Sequence, residues 1–355
     1  MTNSIHKFPW NWRIEDGYPA IGIKKHNSRV FSCFCCGGGS SMGYKLAGYN
    51  VLGGLEVDSK IASIYIKNHN PKYMYQEDIR NFLNRSDIPD ELFELDILDG
   101  SPPCTPFSMA GIREKGWGIE RNYAEGRIKQ TLDDLFGIFI QLIKKLQPKV
   151  SVIENVLGLN KGNAKKYMSL IGTAIQDAGY NFFWKVLDSS VMGVPQKRQR
   201  IFFICVRKDI NIKKSGLLKN KPILNLNFNE KIIKCKEILD NNDKKEKNKK
   251  NLGSIYWNLC SPGNTFASII KNKSWFSKRR YNNNNVIQTL CTCKDDHWHP
   301  TICRTLNKQE WINASSFPQD YQFENKEYYI IGNSVPPVMM AQISHRIYQQ
   351  ILSKI

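Results

Sequence analysis

From Val30 to Val206 short apolar runs alternate with segments of helical periodicity, and this alternation restricts the fold more than any other feature of the chain. "VFSCF" leads through a glycine cluster into the helical "SMGYKLAGY", and "VLGGLEVD" leads into "SKIASIYIKNH". The acidic-apolar "ELFELDILDG" reads as a buried strand that stops at Gly100. "LDDLFGIFIQLIKKLQPK" has helical spacing up to Pro148, "VSVIENV" reads as a strand, and "AKKYMSLIGTAIQDAGY" as a helix ended by Gly179. "RIFFICV" supplies the last strand. A chain ordered this way buries its strands between helices, which predicts an α/β fold around a mostly parallel sheet.

After Val206 the pattern breaks into a lysine-rich tract and then an aromatic, basic stretch, "SIYWNLCSPGNTFASIIKNKSWFSKRRYNNNN", before regular signals resume near Arg304. The expected organisation is a first domain over 1–207, an insertion over 208–303 and a segment over 304–355 that returns to the first domain through the amphipathic "SVPPVMMAQISHRIYQQIL". Fifty-one Lys and Arg against 32 Asp and Glu leave a net charge of +19, which favours a polyanionic partner through counterion release. A lysine-rich solubilising surface would show the same excess. Ten cysteines, clumped in "CFCC", fit free thiols in a reducing compartment, and without a membrane-length apolar run or a secretion signal the expected location is the cytoplasm.

Three motifs carry chemistry. In "DGSPPCTPFSMAG" Cys104 follows a strand end and two prolines, at the carboxyl edge where open α/β sheets bind ligands. "FCCGGGSSMG", between a strand and a helix, suits a nucleotide-like cofactor that the backbone must approach closely, although a plain tight turn would use the same glycines. Glu56 and Asp78 end the next two strands, where carboxylates can accept from ribose hydroxyls or lie near an adenine edge.

The ordered series "FCCGGGSSMG", "EVD", "EDI", "GSPPCTPFS", "IENV", "QKRQR", "RTLNKQEW" and "IGNSVPP" resembles the motif series of cytosine-5 DNA methyltransferases of prokaryotic or phage type. The resemblance implies a Rossmann-like S-adenosylmethionine-dependent methyltransferase sheet with a smaller inserted target-recognition domain, and double-stranded DNA as substrate. A monomer is expected, and the sequence leaves open whether a restriction endonuclease acts separately beside it. By the same resemblance Cys104 is the nucleophile that adds to carbon 6 of cytosine, Glu154 donates to ring nitrogen 3, Arg200 holds the base carbonyl and orients Glu154, and Arg198 lies near the nucleophile or the DNA backbone. Phe34, Cys36, Gly38, Glu56, Val57, Asp78, Ile79, Pro103, Leu135, Asn333 and Ser334 match cofactor positions. Ser108, Gln196 and Arg304 match DNA-facing ones. Gln196, Arg198 and Arg200 alternate, so they should share one face of a strand entrance. The span from Met109 to Lys129 reads as a loop that closes on DNA.

The family turn has a glycine where this chain has Cys36, a side chain that costs roughly 1 kcal/mol if the turn needs positive φ. Weakened cofactor affinity is the expected result. "CTCKDDHWHPTIC" holds Cys291, Cys293, His297, His299 and Cys303, but not at the spacing of a common zinc finger, so no metal is expected. Two alternatives use the same residues: a transfer-RNA cytosine-5 methyltransferase, which the large insertion disfavours, and a catalytically weak DNA-binding relative, which Cys36 makes credible. A nicotinamide oxidoreductase would leave "PPC" and "QKRQR" without a task.

Overall fold

A computed structural model describes residues 6–103, 133–160, 164–210, 224–240, 243, 252–270 and 275–355. The strands are β1 (Arg29–Cys33), β2 (Asn50–Leu55), β3 (Tyr73–Tyr75), β4 (Ile97–Gly100), β5 (Val150–Val156), β6 (Tyr180–Asp188), β7 (Gln196–Lys197), β8 (Gln199–Arg207), β9 (Arg279–Arg280), β10 (Ile287–Gln288) and β11 (His297–Trp298). The helices are α1 (Gly39–Leu46), α2 (Ser59–His69), α3 (Ile79–Asn84), α4 (Asp133–Leu146), α5 (Ala164–Asp177), α6 (Leu252–Leu259), α7 (Ala267–Ile270), α8 (Lys308–Ser315), α9 (Glu327–Asn333) and α10 (Pro337–Gln350).

Seven strands form one sheet in the order β3-β2-β1-β4-β5-β8-β6. β1 to β5 are parallel, whereas β8 runs antiparallel between β5 and β6. Successive residues face opposite sides: Val30, Ile97, Val152 and Ile204 join the core under α1, α2 and α10, while Phe31, Leu98, Ile153 and Phe203 join the core under α3, α4 and α5. Covered on both faces, the central strands read as unbroken apolar runs rather than alternating ones. The sheet is therefore α/β as expected, with two corrections. The run before Gly100 is strand only over β4, because Asp90–Phe93 forms a 3₁₀ turn with Phe93 exposed. "YNFFWKVLD" is the edge strand β6, which the sequence reading passed over.

Side chains fix the ends of the helices that flank the carboxyl edge. Asp58 caps α2 by accepting from the Lys60 and Ile61 amides, a contact worth about 1 kcal/mol. The returning segment packs on α1 so closely that a Cβ at Gly43 would lie 2.5 Å from Met340 Cβ and 2.5 Å from the Pro337 carbonyl oxygen.

The inserted stretch divides between two cores. Leu224, Leu226, Ile233, Cys235, Ile238, Tyr281, Ile287 and Leu290 join the larger core, and β10 pairs with β7. Trp257, Cys260, Phe266, Trp298 and Cys303 form a small cluster of their own, with the Arg280 guanidinium 3.8 Å from the Trp257 ring centroid. His297 packs against Tyr281 and Trp311 of the larger core, its Nδ1 2.8 Å from the Tyr281 hydroxyl, and the His299 Nδ1 accepts from the Thr301 and Ile302 amides. Among the described residues no three His, Cys, Asp or Glu side chains converge as a metal site.

Burial lowers the His297 pKa to about 4, against the ordinary 6.5 it regains on unfolding. Below pH 6.5 the unfolded chain takes up a proton that the fold excludes, so stability is lost as pH falls from about 6.5 towards 4. Midpoints of thermal unfolding recorded at steps across this range should fall, and fall less in His297→Asn; an equal fall in both proteins would remove His297 as a cause.

Candidate active site

The turn after β1 is built from left-handed backbone. Phe34 has φ 54°, Cys36 47° and Gly38 79°. The glycines are demanded by protein packing: a Cβ at Gly37 would lie 2.4 Å from Ile330 Cγ2, at Gly38 2.0 Å from His69 Nε2, and at Gly39 2.3 Å from the Val335 carbonyl oxygen. The Tyr321 hydroxyl donates to the Gly37 carbonyl at 2.6 Å. Cys36 therefore occupies a strained position, and burial together with the Glu56 carboxylate pushes its thiol up to about 12. Ser334 is buried beside it, whereas Asn333 is exposed and donates to the Tyr329 carbonyl.

Glu56, just past β2, accepts from the Cys36 amide at 3.1 Å and the Asp58 amide at 2.9 Å, which joins the ends of β1 and β2. Val57 beside it is exposed. Asp78 caps α3 by accepting from the Arg80 amide at 2.8 Å, pairs with the Arg80 guanidinium at 3.1 Å, and precedes buried Ile79. Glu56, beside exposed Val57 at the edge of adjacent parallel strands, stands where open α/β sheets bind ligands. Leu135 is buried in α4 and Pro103 is exposed beyond β4. Cys104, Ser108 and the expected loop from Met109 to Lys129 lie outside the described residues.

The second half of the site belongs to β5 and β8. Arg200 Nε lies 3.0 Å from Glu154 Oε1, with both side chains largely buried. Antiparallel pairing sets Val156 opposite Arg200 and Glu154 opposite Phe202, so the carboxylate and the guanidinium emerge on one face. Asn155, to which the sequence reading gave no role, donates from Nδ2 to the Pro102 carbonyl at 3.1 Å and ties the proline turn to β5. The "ENV" motif was its only signal.

Gln196, Arg198 and Arg200 do alternate with exposed Lys197 and Gln199. Two of the three nevertheless face inwards. Gln196 is 1% exposed, donates to the Ala314 carbonyl and accepts from the Leu290 amide, an internal clamp where a DNA contact was expected. Arg198 is 2% exposed and donates to the carbonyls of Leu290 and Gly332. Burial and the charge of Arg200 lower its pKa to about 9. Arg304 also departs from expectation. It is 5% exposed and forms a two-pronged bond to Glu310, Nη1 to Oε2 at 2.7 Å and Nη2 to Oε1 at 2.8 Å, so its guanidinium is used inside the fold and not on DNA.

Removing one partner of such a buried pair strands the other charge. Glu310→Ala should lower unfolding stability by about 3–5 kcal/mol in denaturant titrations, and Arg304→Ala should destabilise while the folded fraction keeps its DNA affinity at fixed salt. Unchanged stability with weakened DNA binding in Arg304→Ala would restore Arg304 as a DNA contact.

Comparison with known proteins gives one answer. The C-5 cytosine-specific DNA methylase family matches residues 28–349. The Type II methyltransferase M.Sau96I of Staphylococcus aureus is 26% identical, over 92% of this chain and 77% of that one. The Type II methyltransferase M.FnuDI of Fusobacterium nucleatum is 36% identical, over 52% of this chain and 48% of its own. Among solved structures, S. pombe Dnmt2 methyltransferase superposes with a TM-score of 0.60 at 13% identity, covering 91% of this chain and 99% of that one, a likeness of fold.

Proposed function

The chain belongs to the C-5 cytosine-specific DNA methylase family and is a DNA cytosine-5 methyltransferase, and we propose that it works through Cys104, Glu154 and Arg200 with S-adenosylmethionine as methyl donor. The observation that carries the assignment of residues is the Arg200–Glu154 pair at the carboxyl edge of β5, beside the Asn155–Pro102 contact that anchors the chain entering Cys104. The names of the relatives, Type II methyltransferases, disfavour both the transfer-RNA and the weak DNA-binding alternative and support a restriction-modification setting.

Cytosine carbon 5 is a poor nucleophile until a thiolate adds at carbon 6. Cys104 makes that bond, which loads negative charge onto the ring. Glu154 supplies a proton at ring nitrogen 3, and Arg200 holds both the base carbonyl and the Glu154 carboxyl in place. The bound cofactor supplies an electrophilic methyl group. Once carbon 5 carries the methyl group its proton passes to solvent water, the bond from carbon 6 to sulfur breaks to return the Cys104 thiolate, and ring nitrogen 3 gives its proton back to Glu154, which restores the aromatic ring. The base must leave the stack to meet these groups, at a cost of a few kcal/mol. Glu56, Val57 and the turn at Cys36 hold the nucleoside end of the donor. The inserted stretch reads the duplex, and its basic excess provides the phosphate contacts. The enzyme acts as a monomer, separately from any companion endonuclease, and among the described residues no helix is long and apolar enough to cross a membrane.

Bisulfite sequencing of DNA from cells expressing the protein tests activity and target together: converted cytosines throughout would refute the assignment. Cys104→Ala should abolish methylation and leave duplex binding largely intact; a comparable rate in the variant would rule Cys104 out as nucleophile. Cys36→Gly should tighten S-adenosylmethionine binding on calorimetric titration, because φ 47° strains a side-chain-bearing residue. Equal or weaker affinity would mean that the turn is built around the thiol.

A further inference from the structure

Beneath the two reactant sites the sheet carries a row of polar groups on one face. Strand register sets Ser32 of β1 beside Asp99 of β4, and Asp99 beside Val152 of β5. Glu154, two residues beyond Val152, emerges on the same side, as does Arg200 across β8. Along β1, β4, β5 and β8 the rest of this face is apolar, from Val30 and Ile97 to Ile204.

Asp99 is 3% exposed and unusually well tied. The Tyr44 hydroxyl lies 3.2 Å from Oδ1, and the hydroxyls of Ser32 and Ser40 also hydrogen-bond to the carboxyl. Behind them Ser41 Oγ lies 3.3 Å from Ser32 Oγ and 2.9 Å from the Tyr65 hydroxyl. Ser40, Ser41 and Tyr44 belong to α1, the helix that the glycine turn opens. Asp99 itself lies in the strand whose next residues are Gly100 to Pro103. One carboxyl therefore bridges the element behind the cofactor turn and the element that delivers the nucleophile turn.

We propose that Asp99 is a positioning residue for methyl transfer, a carboxyl clamp that fixes α1 and its glycine turn against the strand leading into Pro102 and Pro103. The clamp sets the separation between methyl donor and target base, a distance on which rate depends steeply. It rests on the function proposed above and extends it to a residue that touches neither reactant.

The groups that face Asp99 are Ser32 and Cys33 from β1, Ser40 and Tyr44 from α1, Tyr65 from α2 and Glu154 from β5, and none of these is basic. Burial is the main reason that its pKa rises to about 7, with the Glu154 carboxylate adding to it and the three hydroxyls opposing it. All three hydroxyls donate to the carboxyl, so the clamp holds in the neutral acid and its bonds strengthen in the anion, whose burial on the same sheet face as the Glu154 carboxylate is the opposing cost.

The test uses the full chain in four forms: unmodified, Asp99→Asn, Asp99→Ala and Tyr44→Phe. Calorimetric affinity for S-adenosylhomocysteine and single-turnover methyl transfer to DNA are each measured at one pH and one salt concentration. Asp99→Asn, which keeps an acceptor for the hydroxyls, should retain most of both. Asp99→Ala should lose about ten-fold or more in transfer rate, with KM for DNA unchanged. The clamp is overturned if folded Asp99→Ala matches the unmodified protein, or if Asp99→Asn is as impaired as Asp99→Ala. If Asp99→Ala does not fold, Tyr44→Phe, which removes one strut, decides: unchanged cofactor affinity there overturns the proposal. The calorimetric arm needs no turnover, so an unmodified protein that binds S-adenosylhomocysteine but leaves DNA unmethylated would refute the proposed function while the clamp is still tested.

Discussion

The contact between the turn after β1 and the returning carboxyl-terminal segment is the constraint on which the rest of the site depends. Ile330 fills the space over Gly37, the Val335 carbonyl sits against Gly39, and Tyr321 reaches back to the Gly37 carbonyl. Helix α10 then lies against α1 at Gly43 with no room for a methyl group. These approaches join residues nearly three hundred positions apart in a core packed at the density of a crystal, where a displaced backbone cannot be absorbed locally. Residues 28–349, the span of the family match, therefore include both partners of this contact.

Electrostatics divide the carboxyl edge into two halves. On one side Glu56 receives backbone amides from the glycine turn and from the start of α2, so a single carboxylate organises two strand ends. On the other, Glu154 is matched by Arg200 across an antiparallel pair, which fixes the carboxylate between β5 and β8. Asp99 lies between them with hydroxyl partners in place of a cation, and burial raises its pKa to about 7.

Several features of the site were legible in the chain because they are local. The strand ends at Cys33, Leu55 and Gly100 follow from apolar runs that stop at small or acidic residues, and the alternation of Gln196, Arg198 and Arg200 follows from the two-residue period of a strand. The same pattern could not say which face points outwards. Gln196 and Arg198 proved to be internal clamps because the segment from Leu290 and the end of α9 at Gly332 cover that face, and Arg304 became internal because Glu310 meets it. Strand β6 does not read as a buried apolar run because it lies at the sheet edge, with Asn181 and Trp184 exposed.

The sequence by itself determined the α/β class, the succession of strands and helices up to α5 and the motif series from the glycine turn to "IGNSVPP", since periodicity and turn chemistry act over a few residues. The tertiary structure decided what those residues do. It explained the glycines by the return of a distant segment and brought Asn155 to Pro102 and Asp99 to Tyr44. It also turned basic residues suited to phosphate into buried ties. Contacts of this kind depend on which remote atoms fill the space beside a side chain, and only the packed chain specifies them.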